Sequence, residues 1–143
     1  MATITRSATV TESLWKVGAG ATAVAAVLNS VVFSLTAGPA GVDFRVDQNG
    51  TVQSINVVMV IVITLVVGAL ATGVAALLDR TKRGAVIFGV LGVLFTVLSL
   101  GGVVGGVTTA TKVSLASLHL LTAIVIAGGL TAVLARRRQD RTL

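Results

Sequence analysis

The chain has no cysteine, one proline and one histidine in 143 residues, and only 11% of its side chains are charged. Without cysteine there can be no disulfide, thiol nucleophile or thiolate metal site, and the redox compartment leaves no trace. The scarcity of charge says more. The few charged residues are clumped, which leaves four uncharged stretches: Val17 to Val42, Gln48 to Leu78, Gly84 to Thr111 and Val113 to Ala135. A helix needs about 20 apolar residues to cross the hydrocarbon core, so each stretch provides one crossing and none provides two.

With 55% hydrophobic side chains and a mean hydropathy of +1.00, the chain reads as a membrane protein. The first apolar run, Val17 to Leu35, exceeds the roughly 7 to 15 residues of a signal-peptide core and reads as a retained helix. The expected fold is an all-α membrane protein, a four-transmembrane-helix bundle forming one membrane domain over 1–143. Its helices are expected at about 14–36, 55–78, 85–107 and 114–135. Thr9 and Glu12 have capping-box spacing ahead of the first helix, and Trp15 falls at an interface.

Nine of the eleven Lys and Arg residues lie before helix one, between helices two and three, or after helix four; only Arg45 and Lys112 lie in the alternate segments. The positive-inside rule then places both termini in the cytoplasm. The net charge of +6 sits where helices leave the membrane, against lipid headgroups, so it is a topology signal and predicts no nucleic-acid partner.

The outer loop 38–54 carries the one extramembrane motif. Val42, Phe44 and Val46 alternate with Asp43, Arg45 and Asp47, and Asn49-Gly50 is a hairpin turn signal. A small extracytoplasmic β-hairpin is expected, with Gln48 facing Thr51, Val46 facing Gln53 and Phe44 facing Ile55. Its apolar face would cover the outer helix ends as a lid.

"SLGGVVGGV" sets Gly101 and Gly105, and Gly102 and Gly106, at GxxxG spacing, where helix backbones can approach closely. Gly68 and Gly73 in helix two, with Ala69 and Thr72, make a weaker seam, and helix one adds Gly18, Ala19 and Gly20. Such seams serve contacts within the bundle or between copies. The double glycines could also kink or break helix three, as transporters do around substrates, although here near the outer boundary.

No Asp, Glu, Lys or Arg falls within the membrane core, which argues against an ion- or proton-coupled carrier. Uncharged polar residues gather in the outer half: Asn29, Ser30 and Ser34, Asn56, Ser99, and His119 with Thr122. At about 1.5 Å per residue, Asn29, Ser99 and His119 each lie roughly 7 to 12 Å below the outer boundary. Two readings stand for this layer. It is an interhelical hydrogen-bonded clasp, or it is a polar pocket of Asn29, Asn56, Ser99, His119 and Thr122 beneath the lid. A metal site would need more ligands than His119 with Asp43 or Asp47, and a nucleophilic triad of Ser99 with His119 lacks an orienting acid. No catalytic residue, metal or cofactor is expected.

"ATKVSLASLHLLTAIVIAGGLTAVLARR", following "RTKRGAVIFGVLGVLFTVLSL", resembles a family of small four-span integral membrane proteins common in actinobacteria and catalogued as a domain of unknown function. "GVDFRVDQNGTVQS" resembles that family's first outer loop, so the likeness covers nearly the whole chain. It implies a bacterial plasma membrane and four spans, and brings no activity with it. The leading expectation is a non-enzymatic accessory or interaction module partnered by the lipid bilayer and by a second copy or another membrane protein. Binding or passage of a small weakly polar or lipidic molecule in the outer-half pocket is the alternative, ahead of an oligomeric pore and of an enzyme.

Overall fold

The computed structural model describes residues 13–140; Thr9, Glu12, Arg6 and Arg141 lie outside them. Four helices are long and apolar enough to cross a membrane: α1 (Leu14–Ala37), α2 (Val57–Leu78), α3 (Gly84–Val103) and a fourth span, Thr109–Asp140. The fourth span comprises α4 (Thr109–Thr122), a π-helical segment (Ala123–Gly128) and α5 (Gly129–Asp140). Between α1 and α2 lie two antiparallel strands, β1 (Arg45–Gln48) and β2 (Thr51–Ser54).

Three boundaries differ from the sequence expectation by four or five residues, one of them the end of the fourth span, which runs to Asp140 instead of about 135. α3 stops at Val103, four residues short, because Val104, Gly105 and Gly106 turn their amides back to Gly101, Gly102 and Val103 in tight three-residue bonds. The fourth span starts at Thr109, five residues early. The Thr108 hydroxyl oxygen caps it by accepting from the Thr111 amide at 3.1 Å, so Lys112 lies inside the helix.

α1 and α2 meet through a reciprocal pair of Gly-x-x-x-Thr steps, Gly18 to Thr22 and Gly68 to Thr72. A Cβ at Gly18 would fall within the Thr72 side chain, and one at Gly68 within that of Thr22. Each threonine fills the space above the opposite glycine. It can do so in an apolar setting because its own hydroxyl donates to the carbonyl four residues back, Thr22 to Gly18 and Thr72 to Gly68, both at 2.7 Å. The hydroxyl oxygens face the opposite glycines, but their hydrogens are already paired, so no unpaired donor opposes the close approach on which association in lipid depends.

The fourth span lies against the other three helices. Its inward residues Leu118, Thr122, Ile126, Leu130 and Leu134 come every fourth position. In a regular α-helix that spacing overshoots a full turn by about 40° per step and would carry Leu134 off the core face. The π-helical segment winds more slowly and takes up this drift, which keeps Ile126, Leu130 and Leu134 buried.

Two apolar clusters result. One, near the chain ends, gathers Leu14, Ala25, Ala75, Phe88, Ile126, Leu130 and Leu134; the other, at the hairpin end, gathers Phe33, Phe44, Val46, Val60, Val103, Leu115 and Leu118.

The hairpin has the expected register, with Val46 opposite Gln53, Gln48 opposite Thr51, and the Ile55 amide donating to Phe44 at 2.8 Å. Asn49 and Gly50 have φ of 55° and 83°, the left-handed pair that a two-residue turn requires. Phe44 and Val46 are buried, and the Phe44 ring lies 4.4 Å from that of Phe33. The free edge of β1 is not left open. Asp47 donates to Gly105 at 2.8 Å, Val107 donates to Arg45 at 3.0 Å, and Val46 bridges to Gly106. Gly105 permits this because a Cβ there would stand 2.9 Å from the Asp47 carbonyl oxygen. The fully buried Thr111 adds a hydroxyl bond to the Asp43 carbonyl at 2.8 Å, so the lid is fastened to the α3–α4 connection.

The glycine geometry predicts opposite signs for one substitution. Gly18→Ala or Gly68→Ala should lower stability by about 1–3 kcal/mol, since the methyl has no room. Gly73→Ala meets nothing within 4 Å and should be neutral or stabilising by up to about 1 kcal/mol. Thermal unfolding in detergent compares them; equal effects would remove the Gly-Thr contact as the basis of α1–α2 association.

Candidate functional site

A single polar layer separates the two apolar clusters. On α1, Asn29 lies one turn from Ala25 and one from Phe33; on α2, Thr64 lies one turn from Val60; on the fourth span, Thr122 lies one turn from Leu118 and one from Ile126. Asn29 is 2% exposed and donates through Nδ2 to the hydroxyl oxygens of Thr64 at 3.1 Å and Thr122 at 2.7 Å.

Proton bookkeeping fixes the direction of these bonds. The Thr64 hydroxyl hydrogen goes to the Val60 carbonyl at 2.8 Å and that of Thr122 to Leu118 at 2.9 Å, so both threonines can only accept from Asn29. Both amide hydrogens are thereby used, and Asn29 Oδ1 is left buried without a donor. Turning the amide over would set Oδ1 against two oxygens whose hydrogens are already committed. The layer therefore joins three helices and retains one free acceptor.

The residues expected to line a pocket divide. Asn29 and Thr122 come together, and Thr64 joins them. Asn56 is exposed at the N-terminus of α2, where its Oδ1 accepts the Met59 amide at 2.9 Å as a helix cap. Ser99 donates to the Thr96 carbonyl of its own helix at 2.8 Å. His119 is half-buried one turn from Thr122, and among the described residues its ring makes no hydrogen bond. Shared depth did not bring these side chains together because depth leaves the angle around each helix axis undetermined, and Asn56 and Ser99 had local backbone partners at hand. Thr64 was legible in a pattern not used: it continues the row of Gly68 and Thr72 along the buried face of α2.

The glycines divide as well. Gly68 meets α1, while Gly73, Gly101 and Gly102 have open space beside them. Gly105 and Gly106 lie beyond the end of α3, where they receive β1 instead of another helix. Among the described residues no three of His, Asp and Glu gather as a metal site would require.

The layer predicts an energetic coupling. Asn29→Val and Thr122→Val, measured singly and together by unfolding in detergent, should couple by about 0.5–1.5 kcal/mol, the range for interhelical side-chain hydrogen bonds in membranes. His119→Leu combined with Asn29→Val should be additive. Zero coupling between Asn29 and Thr122 would show that the layer holds nothing together.

Residues 9–141 match the family described as a family of unknown function, DUF6069. No curated protein and no solved structure matches the chain. The matched segment takes in all four spans, the hairpin and the Asn29–Thr64–Thr122 layer, and the chain belongs to the DUF6069 family.

Proposed function

We propose that this chain is a non-enzymatic integral protein of a bacterial, actinobacterial plasma membrane, with both termini and the α2–α3 turn in the cytoplasm and the hairpin outside. It acts as an accessory or interaction module, joined to a second copy or to another membrane protein through the outer half of α3. The observation that carries this reading is the contrast between inside and outside. The interhelical polar bonds are spent on holding helices together, with threonine hydrogens already given to the backbone. α3, by contrast, shows a broad apolar face with Phe95 72% exposed and with Gly101 and Gly102 open beside it. Small residues on such a face allow another helix to approach closely.

A second reading has one specific support. Asn29 Oδ1 is a buried acceptor without a donor, and His119 lies half-buried a turn from Thr122, so a small hydroxyl-bearing or lipidic molecule could complete the layer from the hairpin side. A bound guest there would donate to Asn29 Oδ1, which costs about 1–3 kcal/mol when left bare.

Two measurements test the proposal. A Cβ at Gly102 meets nothing within 4 Å in the single chain, so Gly102→Leu should leave unfolding nearly unchanged while crosslinked dimers or partner complexes are lost. If no such complexes form in the unaltered protein, the interaction role fails. Orientation is separately measurable, because the chain has no cysteine of its own. An impermeant maleimide should label Gln53→Cys in intact cells and reach Lys82→Cys only after lysis; the reverse pattern inverts the topology.

A further inference from the structure

At the end of the molecule where α1 begins and α5 ends, the short turn from α2 to α3 and the last turns of α5 enclose a basin of about 380 Å³. Arg80, Lys82 and Arg138 line it, with Asp79 and Thr81. The one carboxylate among the described lining residues is occupied: Asp79 Oδ2 pairs with Arg137 Nη1 at 3.3 Å in a mostly buried bridge that ties the end of α2 to α5. Among the described residues Arg80, Lys82 and Arg138 enter no ion pair. The basin also takes in Gly84, where α3 begins without a side-chain cap, so the positive end of a 20-residue helix adds to the three cations.

The basin continues into the membrane-facing surface. Ala85 lines both the basin and a second groove of about 730 Å³ that runs along α3 and α5. Val86, Gly89, Val93 and Val97 form one wall, Thr131 and Ala135 the other, and the lining is almost wholly apolar. Its polar group is already spent, since the Thr131 hydroxyl donates to the Ala127 carbonyl at 2.7 Å. Gly89 and Ala135 carry little or no side chain, so α3 and α5 come close, a Cβ at Gly89 standing 3.7 Å from Thr131 Cγ2, and the groove is an open surface trough over that contact. A charged basin thus opens onto an apolar groove along the axis of the span.

We propose that this paired feature is a binding site for one anionic glycerophospholipid, with its phosphate among Arg80, Lys82 and Arg138 and an acyl chain in the α3–α5 groove. A soluble anion would leave the groove unused, and a zwitterionic headgroup would bring its own cation into the basin. A second copy of the chain is a poor occupant. At this end it would present Lys16, Arg80, Lys82, Arg83, Arg136, Arg137 and Arg138 against Asp79 and Asp140, so like charge would meet like. Basic pockets between helices at the more basic membrane face suit anionic headgroups on general electrostatic grounds.

The test uses the full chain in mild detergent, with native mass spectrometry and thermal unfolding after addition of phosphatidylglycerol or of phosphatidylcholine with matched acyl chains. Phosphatidylglycerol should be retained at one per chain and raise the melting temperature, and phosphatidylcholine should do neither. The variant Arg80→Gln, Lys82→Gln, Arg138→Gln should lose retention at least tenfold. Lys16→Gln, Arg83→Gln, Arg136→Gln removes the same charge outside the basin and should retain the lipid. Gly89→Leu, which fills the groove, should weaken retention with every cation in place. Equal retention of both lipids, equal loss in the two charge variants, or full retention in Gly89→Leu would each overturn the site. Protection by glycerophosphate alone as strong as by phosphatidylglycerol would overturn the lipid as its occupant.

Discussion

In hydrocarbon there is no water to complete a hydrogen bond, so a polar group within a span either finds its partner inside the protein or, like Asn29 Oδ1, is left bare at a cost. The side-chain hydroxyls along these helices follow that constraint. Thr22, Thr64, Thr72, Thr96, Thr122 and Thr131 each donate to the carbonyl four residues earlier. A threonine so arranged presents a methyl group and lone pairs to its neighbours but no free hydrogen. It can fill the space over a glycine, as Thr22 and Thr72 do, or accept from an amide, as Thr64 and Thr122 do. Asn29, with two hydrogens to give, uses this acceptor capacity across helices.

A different constraint, the unpaired edge of a strand, shapes the hairpin end. A two-stranded ribbon alone is marginal and leaves exposed edges. Here β1 is satisfied on both sides, by β2 and by the chain between α3 and α4. The glycines that end α3 make this possible, so a segment that reads as a helix-packing motif serves as a docking strip for a strand. The exposed ion pair of Asp43 with Arg45 adds little, since both side chains are more than half in solvent. Phe44 against Phe33 and the buried Thr111 bond carry the attachment.

At the opposite end charge dominates. The Asp79–Arg137 bridge joins the second and fourth spans and removes the only carboxylate among the described residues of the basin from competition for its cations. The residues that would orient the protein by number, under the proposed topology and the positive-inside rule, include the three that line the basin. Topology and lipid recognition would thus draw on the same charges, one through their count and the other through their positions.

Much of the architecture was legible because it depends on quantities a sequence states directly. The length of uncharged runs set four spans, and an Asn-Gly pair between alternating residues set a hairpin and its register. Tertiary structure decided what those quantities leave open. It made Asn29 a partner of Thr64 and Thr122 while Asn56 turned to its own helix, ended α3 early at Val103, and inserted a π-helical segment that realigns Ile126, Leu130 and Leu134. It also closed Gly68 against Thr22 and left Gly73, Gly101 and Gly102 open. The physical reason is common to all of these. Composition and spacing fix how far along the membrane normal a residue lies, but which neighbour it meets depends on the rotation of each helix about its axis. That rotation is chosen only when four helices settle their contacts together.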